Sequence, residues 1–219
     1  MSENKNTAQP VAVGGFSREN LKKVAIAAGA IIVLVGAYFG YKYWISEPNE
    51  KKAAEAMFKA EEYYRIDSLN LALQGDAQNA GFLKVITKYS GTNAANMANF
   101  YAGSCYLKQG DFKNAVKHLE NFSTNAPQVK ARATALLADA YAEQGNKEKA
   151  VGLYAEAGKT FDKDDYNSPE YLFRAGYLYE SMGKTKEAIE MYQLIKEKYP
   201  KSERGFDIDK YLGRLGAVE

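Results

Sequence analysis

The sequence predicts an all-α chain: one N-terminal transmembrane helix, then an α-solenoid of helix–turn–helix repeats, then a capping helix. Two observations carry this. Gly, four variable residues and Ala recur as GDAQNA from Gly75, GDFKNA from Gly110, GNKEKA from Gly145 and GKTKEA from Gly183. The first three glycines stand 35 residues apart and the fourth follows after 38, the spacing of a stacked two-helix unit. The second is Val24 to Tyr41, 18 residues without a charge.

In chain order, residues 1–20 are polar and Asn-rich with almost no large apolar side chain, so a disordered cytoplasmic tail is expected there. Residues 21–45 are the anchor. At 1.5 Å per residue the uncharged run spans about 27 Å, and Tyr43, Trp44 and Ile45 bring it to a bilayer core of about 30 Å. A cleavable leader also sets basic residues before an apolar run, but its apolar core is shorter. This one ends in Tyr41, Tyr43 and Trp44, residues suited to a membrane interface, so an uncleaved anchor is expected. Arg18, Lys22 and Lys23 precede the span while Lys42, Lys51 and Lys52 follow it, which favours a cytoplasmic N-terminus and a periplasmic repeat domain. Ala25, Gly29, Gly36 and Gly40 fall on nearly one side of the helix, a candidate face for packing against another membrane helix.

Residues 46–95 hold a linker helix and a degenerate first repeat. That repeat keeps Gly75 and Ala80 but has Ser68, Leu71 and Lys84 where later units place a small residue and aromatics. Residues 96–219 hold the regular repeats and the capping helix. In each hexamer the Gly is expected to end one helix in the left-handed conformation. Asp76, Asp111 or Asn146 then caps the next through its side chain. Phe112, Ala115, Val116, Leu119 and Phe122 follow a helical period and share one face. The hexamer's Ala lets the paired helices approach closely. Between the second and third regular repeats, Asp162, Asp164, Asp165 and Asn167 form a loop without the central Gly and distal Glu of a calcium loop. Ser168 is expected to cap the helix after it, with Pro169 at its first position. Ser202 is expected to cap the closing helix over 203–215.

These residues resemble the tetratricopeptide repeat family. Its succession of small residue, aromatic, Gly, Ala, aromatic and Pro is met by Gly103, Tyr106, Gly110, Ala115, Leu119 and Pro127, with Leu119 standing at the second aromatic place. It returns as Ala138, Tyr141, Gly145, Ala150 and Tyr154, with no Pro, and as Gly176, Tyr179, Gly183, Ala188, Tyr192 and Pro200. The resemblance implies a concave side lined by the first helix of each unit. Mapped here, that side carries Met97, Phe100, Ser104 and Leu107, then Arg132, Ala135, Asp139 and Ala142, then Glu170, Phe173, Tyr177 and Glu180. Met97, Phe100, Leu107, Arg132, Asp139, Phe173 and Tyr177 are the candidate partner-binding residues. Aromatic side chains would anchor a peptide segment, and Arg132 and Asp139 would set its register. The Lys and Asn set that clamps C-terminal carboxylates in some members is missing, since Phe100 and Ser104 stand at two of its places.

The layout of tail, anchor ending in FGYKYW (Phe39 to Trp44), AAEAMF helix start (Ala53 to Phe58) and a few repeats is similar to the YfgM-type family of single-pass inner-membrane proteins. That resemblance implies association with the Sec translocon and a membrane-anchored periplasmic chaperone. The function expected is non-catalytic help to proteins emerging from the translocon. The alternative is a structural scaffold for another envelope machine in cell division, outer-membrane assembly or motility.

Composition narrows the classes further. The chain carries 29 basic and 27 acidic residues, and past Ile45 the two balance to within one, so no basic stripe serves nucleic acid. The lone Cys105 forms no internal disulfide and reads as a small buried residue rather than a nucleophile. His118, the one histidine, lies between Lys117 and Glu120 and is expected on a solvated face. No acid, base, nucleophile or metal set converges in the sequence, so neither an enzyme, a cofactor nor a small-molecule substrate is expected.

Overall fold

A computed structural model describes residues 18–217, which divide into two compact units separated after Pro48. In the first unit, helix α1 (Arg18–Tyr41) is followed by a π-helical turn over Lys42–Ser46. At 1.5 Å per residue its 24 residues reach about 36 Å, enough to cross a bilayer. Its apolar side chains face outward: Ile26 is 73% exposed and Ile32 71%. A methyl group added at Gly29, Gly36 or Gly40 would meet nothing within 4 Å. Residues 1–17 of the expected tail lie outside the described residues, and Arg18 to Asn20 belong to α1.

The remaining helices are α2 (Glu47–Arg65), α3 (Leu69–Gln74), α4 (Phe82–Lys88), α5 (Asn93–Lys108), α6 (Phe112–Glu120), α7 (Pro127–Glu143), α8 (Lys147–Thr160), α9 (Asn167–Ser181), α10 (Thr185–Lys198) and α11 (Glu203–Arg214). No strand occurs among the described residues. Helices α5/α6, α7/α8 and α9/α10 are the three regular repeats, and α11 closes the stack.

The three regular hexamers build the same joint. Gly110, Gly145 and Gly183 take φ of +77°, +77° and +71°, where a Cβ would be strained. Each glycine N–H donates one turn back, to Leu107, Ala142 and Glu180 carbonyls at 3.1, 2.8 and 3.0 Å. The following N–H reaches the repeat's aromatic residue: Asp111 to Tyr106, Asn146 to Tyr141 and Lys184 to Tyr179, at 2.9, 2.9 and 3.0 Å. This double bond is the Schellman closure. Asp111 and Asn146 then cap α6 and α8, accepting from the Asn114 and Lys149 N–H groups at 3.1 and 3.3 Å. Ala115, Ala150 and Ala188 are fully buried at the helix crossings.

Three local expectations differ from the structure. In the first hexamer Asp76 caps no helix: its Oδ1 accepts the Gln78 and Asn79 N–H groups at 2.8 and 2.6 Å, and α4 begins only at Phe82 with Gly81 at its cap. Gly75 is pinched against that loop, since a Cβ there would lie 2.2 Å from the Asn79 carbonyl oxygen. Before α9, Asp164 rather than Ser168 satisfies the leading amides, accepting from Tyr166 and Asn167 at 3.1 and 2.8 Å. Ser168 is buried and donates to the Phe161 carbonyl at 2.7 Å, so Pro169 is the third helical residue. Finally, His118 is buried, only 9% exposed. It stacks on Tyr106 at 5.5 Å between ring centroids and meets Asn99 through Nδ1 at 2.9 Å. Lys117 beside it is exposed and Glu120 accepts from the Tyr141 hydroxyl at 2.5 Å, while His118 itself sits one helical turn past buried Ala115.

Apolar packing in this unit gathers in two large clusters. One joins α2–α5 around Phe82, Val85 and Ala98; the other joins α7–α11 around Leu172, Tyr192, Ile195, Ile208 and Leu212. A small cluster of Phe100, Leu119 and Ala133 stands between them. Cys105 lies in the first, fully buried, and burial pushes its thiol up to about 12, so the nucleophilic thiolate is absent at neutral pH.

Candidate partner-binding groove

Side chains from the first helices of successive repeats line two neighbouring depressions that share Arg132, Asn167 and Tyr171. Their positions follow from the helical period, which repeats a face every three or four residues. The first, of 420 Å³, has Tyr64 from α2, Met97, Phe100 and Tyr101 from α5, Val129 and Arg132 from α7, and Tyr171 from α9. The second, of 430 Å³, has Arg132, Ala135 and Asp139 from α7, Glu170 and Arg174 from α9, and Arg204 from α11. The groove therefore changes from aromatic to charged along its length.

The expected binding residues fall in different places. Met97, half-buried, and Arg132, exposed, border the aromatic depression directly. Phe100 contributes there too but is only 7% exposed, packed on Tyr101 and Phe122 at ring distances of 5.4 Å each. Leu107 borders a separate hollow with Phe112, Tyr154 and Arg174. Phe173 is 9% exposed because α11 covers it: Tyr211 meets it edge-on at 4.8 Å and the Arg204 guanidinium lies 3.9 Å above its ring. Tyr177 is 58% exposed, stacked on Phe173 at 6.4 Å, and lines neither depression. The structure thus brings Met97, Phe100, Arg132 and Asp139 to one groove and gives Phe173 to the contact with the closing helix.

Asp139 is already engaged. Tyr154 donates to its Oδ1 at 2.5 Å and Arg174 at 2.8 Å, which ties α7, α8 and α9 together. Arg174 also donates to Glu170 at 2.9 Å, and Arg204 reaches the other Glu170 oxygen at 2.6 Å. Burial alone would push the Glu170 carboxyl up, but these bonds from Arg204 and Arg174 reverse that and hold it below the ordinary range. The Tyr154 phenol moves up, first through burial and then through its bond to Asp139. This charged end is a self-satisfied network.

The aromatic end is different. Tyr64 shares a 2.8 Å hydrogen bond with Ser104, whereas Arg132 makes no ion pair among the described residues. Tyr64, Tyr101 and Tyr171 are the groove residues that repeat-based reasoning missed. Tyr64 belongs to the linker helix, outside the regular frame, and the other two each sit one residue after a position assigned to the groove.

A family model described as a tetratricopeptide repeat-like domain matches residues 16–209. No curated protein matches the chain.

Proposed function

The chain belongs to the tetratricopeptide repeat-like domain family, whose stacked units mediate protein–protein interaction, and from that premise we propose that its groove holds a segment of a partner protein near a membrane. The observation that carries this is the aromatic depression formed by Tyr64, Met97, Phe100, Tyr101 and Tyr171 beside Arg132. Aromatic and Arg side chains in such a site dominate binding energies at interfaces. Helix α1, long and apolar enough to cross a bilayer, supplies the attachment.

In this reading the chain is non-catalytic, inserted once in a bacterial inner membrane with its N-terminus cytoplasmic and its repeats periplasmic. It receives segments of proteins emerging from the Sec translocon or recruits a membrane-anchored periplasmic chaperone. The basic residues Arg18, Lys22 and Lys23 before the span support the orientation, and the resemblance in layout to YfgM-type proteins supports the partners. Ala25, Gly29, Gly36 and Gly40 would serve contacts within the membrane.

Photocross-linking in native membranes tests it. The benzophenone amino acid placed at Gln128, exposed at the groove, should form adducts with translocon clients or a chaperone. The same group at exposed Glu187 on α10 should not. Identical adducts from both positions, or none from position 128, would remove the groove from the function.

A further inference from the structure

The structure assigns a second ligand site, for a neutral oligosaccharide, to a hollow lined by α4, α5, α6 and the loop after α6. The hollow stands apart from the groove: no residue of α7 or α9 borders it, and Met97 alone is common to it and the two groove depressions. The assignment is therefore independent of the groove reading. Its volume is 1120 Å³, beyond the roughly 300 to 1,000 Å³ of sites for one compact ligand, so several linked rings fit it better than a single one. Six asparagines border it, Asn93, Asn96, Asn99, Asn114, Asn121 and Asn125, with no Asp, Glu or Arg. Without an acid, nothing in the lining holds a metal ion or an ammonium group. Without a guanidinium, nothing grips a carboxylate or phosphate at two points. Exposed Lys117, at the rim, is the lysine of the lining. A neutral, polar occupant remains.

The amides are held in place by the protein and still have bonds to give. Asn96 donates to the Ser123 carbonyl at 2.7 Å and accepts the Ser123 N–H at 3.0 Å. Asn114 donates to Asp111 and Asn121 to the Lys117 carbonyl, each at 2.7 Å, which leaves the side-chain oxygen of both without a partner among the described residues. Further in, His118 is 9% exposed and its Nδ1 meets Asn99 at 2.9 Å, while Nε2 has no partner among the described residues. Since no fully buried side-chain nitrogen or oxygen among them lacks a hydrogen bond, Nε2 is reached from the hollow. Asn99 donates to the Ala95 carbonyl at 3.3 Å and so turns its oxygen to the ring, which makes Nδ1 the donor and, in the neutral imidazole, Nε2 an acceptor. A hydroxyl group both donates and accepts, so it satisfies this nitrogen and both ends of a carboxamide alike. A sugar ring carries several hydroxyls around one rim, and its C–H faces find an apolar wall in half-buried Leu83, Ile86 and Phe122.

Isothermal titration calorimetry of the full chain in nanodiscs of zwitterionic lipid, at a pH above the histidine range, tests this with four probes. These are cellotetraose, chitotetraose, anionic tetragalacturonate and pentaglycine. At least one of the two neutral tetrasaccharides should bind, and more tightly than the other two probes. Asn121→Ala, at an exposed position, should weaken that binding roughly fivefold to tenfold, as loss of a hydrogen-bond partner does, with the melting temperature nearly unchanged. Lys117→Gln should leave it as it is. His118→Phe, which keeps a ring against Tyr106 and removes Nε2, should weaken it as well. Should that variant fail to fold, the double change of Asn121 and Asn125 to Ala decides instead. Failure of both neutral tetrasaccharides to bind, or undiminished binding in the double variant, overturns the assignment. So does tetragalacturonate bound more tightly and released by Lys117→Gln, which would make the hollow an anion site. Pentaglycine bound more tightly than either sugar would give the amides to a peptide backbone and overturn it equally.

Discussion

The imidazole of His118 stacks on Tyr106 and lies against Asn99, whose side-chain amide donates to the Ala95 carbonyl at 3.3 Å and so turns its oxygen toward the ring. Nδ1–H therefore donates. Burial first, and then Lys117, hold its pKa below the usual histidine value. With the folded-state pKa depressed, the unfolded chain binds the proton more readily. The stability contributed by neutral His118 is thus complete above about pH 6.5 and is lost as pH falls through the interval down to the folded-state value. Melting temperatures from about pH 7.5 to about 5.5 should fall more steeply for the native chain than for His118→Gln; parallel profiles would refute the linkage. His118→Ala should cost about 1 to 3 kcal/mol, since Asn99 loses its partner in a packed site. The sequence pattern concealed this because Lys117 and Glu120 suggest a wet face. The helical period itself held the clue: Ala115, His118 and Leu119 form the buried side of α6. Phe173 was hidden for another reason, since the helix covering it comes from a segment 30 residues further along the chain.

Within the helices, small residues divide into those that fill a contact and those that touch nothing. A Cβ at Gly103 would come within 2.5 Å of Leu119 Cγ, so α5 and α6 meet there without a side chain between them. Gly103→Ala should therefore destabilise, and Ala150→Leu, at a fully buried crossing, should cost about 1 to 3 kcal/mol through overpacking. Gly152, in the interior of α8, is exposed and has open space around it. Gly152→Ala should instead stabilise by about 0.5 to 1 kcal/mol. Urea denaturation of the three variants measures the pattern, and a stabilising Ala150→Leu would contradict the crossing. The same distinction explains what was legible. The joints at Gly110, Gly145 and Gly183 are local, built from one left-handed residue and two backbone bonds, so six letters announce them. The hexamer at Gly75 has the same letters with a different fold. After its Ala comes Gly81, where the others have Val116, Val151 and Ile189. Without that apolar side chain the helix does not start at once, and Asp76 satisfies its own loop. The groove was legible only by half: the repeat frame located Met97, Phe100, Arg132 and Asp139, but Tyr64 and Arg204 come from α2 and α11, helices the frame does not relate.

At the scale of the molecule, the proposed orientation predicts that protease added to spheroplasts digests the repeats and spares the N-terminal tail. Sparing of the repeats would reverse it. A stronger consequence concerns how the second unit holds together. A stacked-repeat protein is stabilised by contacts between neighbours rather than by one central core. Here the α2–α5 and α7–α11 clusters are separate, and Phe100, Leu119 and Ala133 connect them. Leu119 does two things at this joint, filling the space left by Gly103 and completing the small cluster. Leu119→Ala should cost about 2 to 5 kcal/mol, as core truncations do, and the loss should fall on the coupling between the two halves. In hydrogen exchange at increasing denaturant, amides of α7–α11 should then keep their protection after those of α2–α5 have lost theirs, whereas the native chain opens both together. A variant whose two halves still exchange in step, with only a lowered common midpoint, would show that the helices couple along a continuous core and that the small cluster is no joint.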